Sequence, residues 1–173
     1  PDKLAAFYKK NGIDKTGLLK WEDQKDHALP QDFADMLGWK ELTEKTEQFF
    51  TILPDSTKAN TVIYCRNYGQ AGALKFYGRS DYFTQKVFTD NGSFVLWIPE
   101  KLWFKNLVFI GRQMPGKDDE VFQHFQSATI IDSVTNIYSR QLGDKIIFFR
   151  NGDNEAWQIA NKILKEKKNG YSR

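Results

Sequence analysis

A strand-like run, Thr61 to Cys65, is followed at once by Asn67-Tyr68-Gly69-Gln70. That spacing suits anion recognition. Asn67 stands where a helix N-cap accepts from the backbone, and Gln70, three residues on, completes a capping box. Free N–H groups at such a helix start attract phosphate or carboxylate. The dinucleotide fingerprint would need a third glycine beside Gly69 and Gly72, and the Gly-Lys-Ser/Thr of a phosphate-binding loop does not occur. Structural capping and ligand contact are both open to this turn. Arg112 lies just past a second apolar run, Leu107 to Ile110, and would offer an anion a charge-assisted hydrogen bond. Asn91 sits in a turn after Lys86 to Thr89, a third, less regular strand candidate. The candidate ligand-binding residues are thus Asn67, Tyr68, Gln70, Asn91 and Arg112, in a crevice at the carboxyl ends of strands.

Other chemistries find less support. Nucleophilic catalysis would fall to Cys65 or to a serine beside a base. No G-x-S-x-G elbow exists, and a small buried cysteine is ordinary in a core strand. His27 and His124 are far apart and show no recurrent metal-ligand spacing. Asp23 with Asp26, and Asp32 with Asp35, lie three apart. Spacing alone does not hold either pair across a substrate; Asp32 reads as a helix cap and Asp35 as a surface or salt-bridge residue. No catalytic residue, metal ligand or cofactor is therefore assigned. Asn91-Gly92-Ser93 fits the N-glycosylation acceptor, a pattern that arises easily by chance. Among the aromatics, Trp39 and Trp157 read as core. Trp97 and Trp103, the latter flanked by Lys101 and Lys105, are interface candidates for a membrane-facing or protein-facing rim.

The elements that would position these residues alternate. A short helix follows Asp32, and Trp39, Leu42, Thr46, Phe49 and Leu53 recur at helical spacing. After the first strand, a helix runs from the Asn67 cap to Gly78, a plausible left-handed terminator. Gly72 inside it costs roughly 1 kcal/mol against alanine unless a close contact repays it. Asp118 to Glu120 open a helix carrying Val121, Phe122 and Phe125. Ala128 to Thr135 reads as a strand near an edge, given its polar Asp132 and Ser133, and Ile146 to Phe149 as a strongly apolar strand. A last helix places Trp157, Ala160, Ile163 and Leu164 on one stripe. The expected fold is α/β: three-layer, Rossmann-like, with a mostly parallel sheet flanked by helices. The chain divides into an N-terminal arm (1–28), one α/β domain (29–168) and a frayed basic tail (169–173). Its 173 residues are 40% hydrophobic and 27% charged, enough for a packed core. A net charge of +3 argues against nucleic acid as a partner. No run approaches the roughly 18 apolar residues of a membrane helix.

Two segments carry a family resemblance. One is Leu29-Pro30-Gln31-Asp32-Phe33-Ala34-Asp35-Met36-Leu37-Gly38-Trp39-Lys40-Glu41-Leu42; the other is Asn67-Tyr68-Gly69-Gln70-Ala71-Gly72-Ala73-Leu74-Lys75-Phe76-Tyr77-Gly78. In this order, and followed by an aromatic stretch ending at Trp97, they resemble the soluble C-terminal domain of bacterial membrane glycosyltransferases. Those proteins are relatives of the dolichyl-phosphate-mannose protein mannosyltransferases and the aminoarabinose lipid A transferases. The resemblance covers about Leu29 to Ile110 best. Two departures stand out: Ile98-Pro99 follows Trp97 where the relatives have Trp-Gly, and Asp90-Asn91-Gly92-Ser93 replaces a stretch bearing histidine.

The resemblance implies a non-catalytic, extracytoplasmic domain of a polytopic transferase that uses a polyprenyl-phosphate sugar donor. It would sit on the outer side of the bacterial cytoplasmic membrane, in the periplasm or at the cell exterior. Its partners would be the transmembrane part of the same polypeptide and a lipid-linked sugar or glycan acceptor. Leu4 to Lys25 would lie near the linker from the last membrane helix. The family's catalytic acids lie on loops between membrane helices, so no position here inherits one. The alternative is an independent small α/β domain binding a nucleotide, sugar or phosphate. More distant is a hydrolase or transferase acting through Cys65 or a carboxylate.

Overall fold

The computed structural model describes residues 1–116 and 118–171. Helix α1 (Asp2–Lys10) and a 3-10 turn (Ile13–Lys15) open the chain. The segment behind them is closed by a bridge between Lys20 and Asp26. Leu19 and Leu29 are buried, and the Trp21 indole donates to the Leu29 carbonyl, so this region is packed. Helices α2 (Gln31–Asp35) and α3 (Trp39–Ile52) follow. Gly38 separates them at φ 85°, where a Cβ would meet Ser139 Oγ at 2.3 Å. Leu42, Thr46, Phe49 and Phe50 form the buried stripe of α3, the spacing of an amphipathic helix.

Helix α4 (Asp55–Ala59) leads into β1 (Thr61–Cys65), then α5 (Tyr68–Tyr77), α6 (Asp81–Gln85) and β2 (Val87–Phe88). A 3-10 turn (Gly92–Trp97) precedes β3 (Asn106–Gly111). Another (Glu120–His124) precedes β4 (Phe125–Ser133), β5 (Lys145–Gly152) and α7 (Asn154–Tyr171). The segment from Asp118 is therefore one 3-10 turn running into a strand, where a helix through Phe125 was expected. Of the anticipated tail, residues 169–171 are helical and Ser172 and Arg173 lie outside the described residues.

The sheet order is β2-β1-β3-β5-β4. β1 is parallel to β2 and β3, whereas β5 is antiparallel to β3 and β4. The sheet is thus mixed, with the longer share of its ladders antiparallel, and the expected mostly parallel, Rossmann-like sheet is incorrect. The reason lies in the connection from β4 to β5. Residues 134–144 form turns, too short a link for the crossover that parallel neighbours require. β5 therefore folds back as a hairpin partner and enters between β3 and β4. β4 is an edge strand, as its polar Asp132 and Ser133 suggested, and β2 lies at the other edge.

Alternation along the strands sends two sets of side chains to opposite faces. Ile63, Cys65, Val108, Ile110, Ile146 and Phe148 meet α3 and α5 in one core cluster. Val62, Leu107, Phe109, Ile147 and Phe149 meet Phe104, Ala156 and the half-buried Trp157 in the other. Gly78 ends α5 at φ −65°, not in the left-handed region. It is needed for space: a Cβ would lie 2.5 Å from the Leu74 carbonyl and 2.6 Å from Phe83. Gly72 has no such contact, since a Cβ there would meet nothing within 4 Å.

Candidate ligand-binding crevice

The chain leaves β1 for β2 on one side of the sheet and then crosses to β3 on the other. The carboxyl ends of β1 and β3 therefore flank a switch point, where open α/β sheets form crevices. Asn67 begins the turn there. Its Oδ1 accepts from the Gln70 N–H at 2.9 Å, and its own N–H donates to Gln70 Oε1 at 3.2 Å, so the capping box is complete. Gln70 is buried and also donates to Asp144 Oδ2 at 2.8 Å. Gln70 thus fixes the helix start and ties it to the turn before β5.

Arg112, just past β3, reaches the same carboxylate from the open side. Its Nε lies 3.3 Å from Asp144 Oδ1, and a terminal nitrogen donates to the Arg140 carbonyl. Arg140 in turn contacts Asp35 at 3.3 Å and Glu22 at 2.6 Å. Burial works to lower the Arg140 pKa, but the Glu22 hydrogen bond and the Asp35 charge hold it above its usual value. Trp39 forms the back wall. Its indole donates to the Asp35 carbonyl at 2.6 Å, and its ring lies 3.1 Å from where a Cβ on Gly69 would stand. A Cβ at position 69 would require the ring or the turn to give by a few tenths of an ångström. Arg66, mostly exposed, completes the rim at 3.7 Å from Asp119.

Three guanidinium groups, from Arg66, Arg112 and Arg140, thus gather around one turn, each paired with a carboxylate: Asp119 with Arg66, Asp144 with Arg112, and Asp35 and Glu22 with Arg140. The arginines are held in place by their carboxylate partners, and a guanidinium carries five N–H donors, more than these pairs use, which an anionic group can accept from. Tyr68 is exposed and stacks on Phe94 with ring centroids 6.0 Å apart. Phe94 in turn contacts Trp97 at 4.7 Å. Flat rings beside polar groups suit a sugar face.

Asn67, Tyr68, Gln70 and Arg112 therefore meet in one crevice. Asn91 does not line it: its N–H donates to Thr89 Oγ1, and it starts the 3-10 turn that carries Phe94. Trp97 and Trp103 are both exposed. Asp35, Trp39, Arg66, Arg140 and Asp144 belong to the crevice but were absent from the sequence-derived set. The Gly38-Trp39 step and the acid at Asp35 were visible signals, although they read as core and surface. Nothing local marked Arg140 or Asp144.

Cys65 is fully buried, and burial pushes its thiol pKa up, which leaves little thiolate for nucleophilic attack. His27 stacks on Trp21 and contacts Asp23, while His124 faces Asp153 and Glu155. Among the described residues, no group of three or more His, Cys, Asp or Glu is placed to hold a metal ion, and no helix is long and apolar enough to cross a membrane. Comparison with protein-family models, curated proteins and solved structures finds no match to this chain.

Proposed function

We propose that this chain is a non-catalytic, extracytoplasmic domain of a polytopic membrane glycosyltransferase, and that its crevice holds the anionic or sugar part of a donor or acceptor. One observation carries the reading. The two segments that resemble the transferase domains meet at a single place: Trp39 of the first lies against Gly69 of the second, beside the capping box and Arg112. Residues that resemble one family in two separated stretches thus build one wall. The clustered guanidinium donors support an anionic group, and the Tyr68 and Phe94 rings support a sugar beside it. Group transfer itself would belong to the membrane-embedded part.

Titration of the isotope-labelled chain with a hexose 1-phosphate, followed by NMR, tests the crevice. Amide shifts confined to Asn67 through Gln70 and Arg112 are expected, with affinity lowered about tenfold in Arg112→Ala, the scale of one charge-assisted hydrogen bond. Absence of shifts at millimolar ligand would overturn the crevice assignment. Reading the gene upstream of Pro1 tests the membrane part. Several apolar helices are expected there, and a start codon directly before Pro1 would leave an independent small α/β binding domain instead.

A further inference from the structure

On the opposite face of the sheet, between the strands and α7, lies a separate cavity of about 270 Å³. Its walls are apolar: Val62, Phe104, Leu107, Phe122, Ile163 and Leu164 all contribute. The void is a gap in packing, since α7 and two 3-10 turns share the cover that α3 and α5 give the other face. Apolar walls of a pocket this size face solvent, so an apolar occupant of matching size removes that surface from water.

The rim carries charge of one predominant sign. Asp90, Asp118, Asp119 and Glu120 stand against Arg66 and Lys167. Both cations are committed. Lys167 pairs with Asp90, whose other oxygen accepts from the Tyr64 hydroxyl at 2.6 Å. Arg66 faces Asp119. Asp118 and Glu120 are exposed, and neither has an ion-pair partner among the described residues. An apolar pocket with two carboxylates at its mouth that make no ion pair among the described residues is complementary to an amphipathic cation.

We propose that this cavity binds a small amphipathic amine, its apolar body enclosed by the sheet and α7 and its ammonium group facing Asp118 and Glu120. Size narrows the class. At the roughly 30 Å³ that one water occupies in the liquid, the cavity volume of about 270 Å³ corresponds to about nine non-hydrogen atoms. Octylammonium, with eight carbons and one nitrogen, has that size. The site differs from the crevice in its charge preference, and among the described residues only Arg66 borders both, so either site can fail without the other.

The test is isothermal titration of the chain with octylammonium chloride and, separately, sodium octanoate, both below their micellar range and at low salt. Saturable one-to-one binding of octylammonium is expected, at least threefold tighter than octanoate, with the preference shrinking at high salt as exposed charges are screened. In the double variant Asp118→Asn, Glu120→Gln the preference should fall to about one. Ala160→Phe, which fills the cavity from α7, should abolish binding of both. On the unaltered chain, nuclear Overhauser contacts should join the octyl chain to the Ile163 and Leu164 methyl groups, a readout that does not depend on any variant folding. The proposal is overturned if octylammonium does not saturate at millimolar concentration, if octanoate binds as tightly, or if the octyl contacts fall elsewhere.

Discussion

On one face of the sheet, α3 and α5 press Leu42, Phe49, Phe50 and Leu74 against Ile63, Cys65 and Val108. On the other, α7 shares the cover with two 3-10 turns, and a cavity of about 270 Å³ remains. The strands feeding both faces are the same, and their apolar residues alternate evenly. The difference comes from what lies over them. Two regular helices, α5 entered through the Asn67 cap and α3 through the left-handed Gly38, align their stripes on a sheet, whereas irregular segments such as Glu120–His124 place a ring here and there and leave gaps. The closely packed face supports the crevice, whose polar groups are braced by one another; the loosely packed face holds space for something else.

The sharpest test of this contrast is truncation on each face. Leu74 on α5 is fully buried, and Leu74→Ala should destabilise the domain by about 2–5 kcal/mol, the range for leucine truncation in a packed core. Leu164 already borders the cavity, so Leu164→Ala removes contacts on one side only and should cost less, about 1–2 kcal/mol. Denaturant melts of the two variants measure the difference. Equal losses would mean that the two faces are packed alike.

Next in size is the link that holds the crevice's far wall. Glu41 on α3 accepts from the Thr135 N–H and hydroxyl, both at 2.7 Å, and from the Asn136 N–H at 3.1 Å, with Lys45 at 3.0 Å. Burial pushes its pKa up, but the Thr135, Lys45 and Asn136 hydrogen bonds more than offset that and lower it from 4.5 to about 2. A carboxylate depressed in the folded state contributes stability that is fully present above its unfolded value. That share should therefore be lost as pH falls from about 4.5 toward about 2. Glu41→Gln should cost about 2 kcal/mol at neutral pH, within the range for hydrogen bonds to a charged group, and flatten stability across that acid window. An unchanged acid profile would show that the loop carrying Arg140 and Asp144 is held by other contacts.

These two regions also differ in how far the sequence revealed them. The β1–turn–α5 unit was legible because its signals are local: β-branched residues in Thr61 to Cys65, then a cap and its partner three residues apart. The crevice floor followed from that unit. Its far wall did not, because Gln70 meets Asp144 across 74 positions and the intervening chain carries no periodic signal for that pairing. The sheet's mixed direction was misread for a related reason. Strand propensity marks that β4 and β5 exist, but their direction depends on whether residues 134–144 form a crossover or a hairpin, and link length was the cue that mattered. The cavity left no trace in sequence at all, since Trp157, Ala160, Ile163 and Leu164 show the same stripe whether the space beneath them is filled or empty.

Within the crevice itself, Asn67→Ala removes one side-chain acceptor from a helix N-terminus and should lower stability by about 1 kcal/mol. Because Gln70 keeps its bond to Asp144, the variant should stay folded and the loss should appear as a small midpoint shift in denaturant. A loss several times larger would mean that Asn67 holds the whole wall and not the helix start alone.

The smallest expected effect carries the most direct information on the loose face. Ala160 lies on α7 with its side chain toward the cavity. Adding three carbons there puts apolar atoms into existing space, so Ala160→Leu should leave stability unchanged or raise it by about 0.5 kcal/mol, as cavity-filling substitutions do. In a filled core the same enlargement costs about 1–3 kcal/mol through strained rotamers and backbone shifts. The sign of one melting-temperature change thus separates a real void from a surface already closed by side-chain motion.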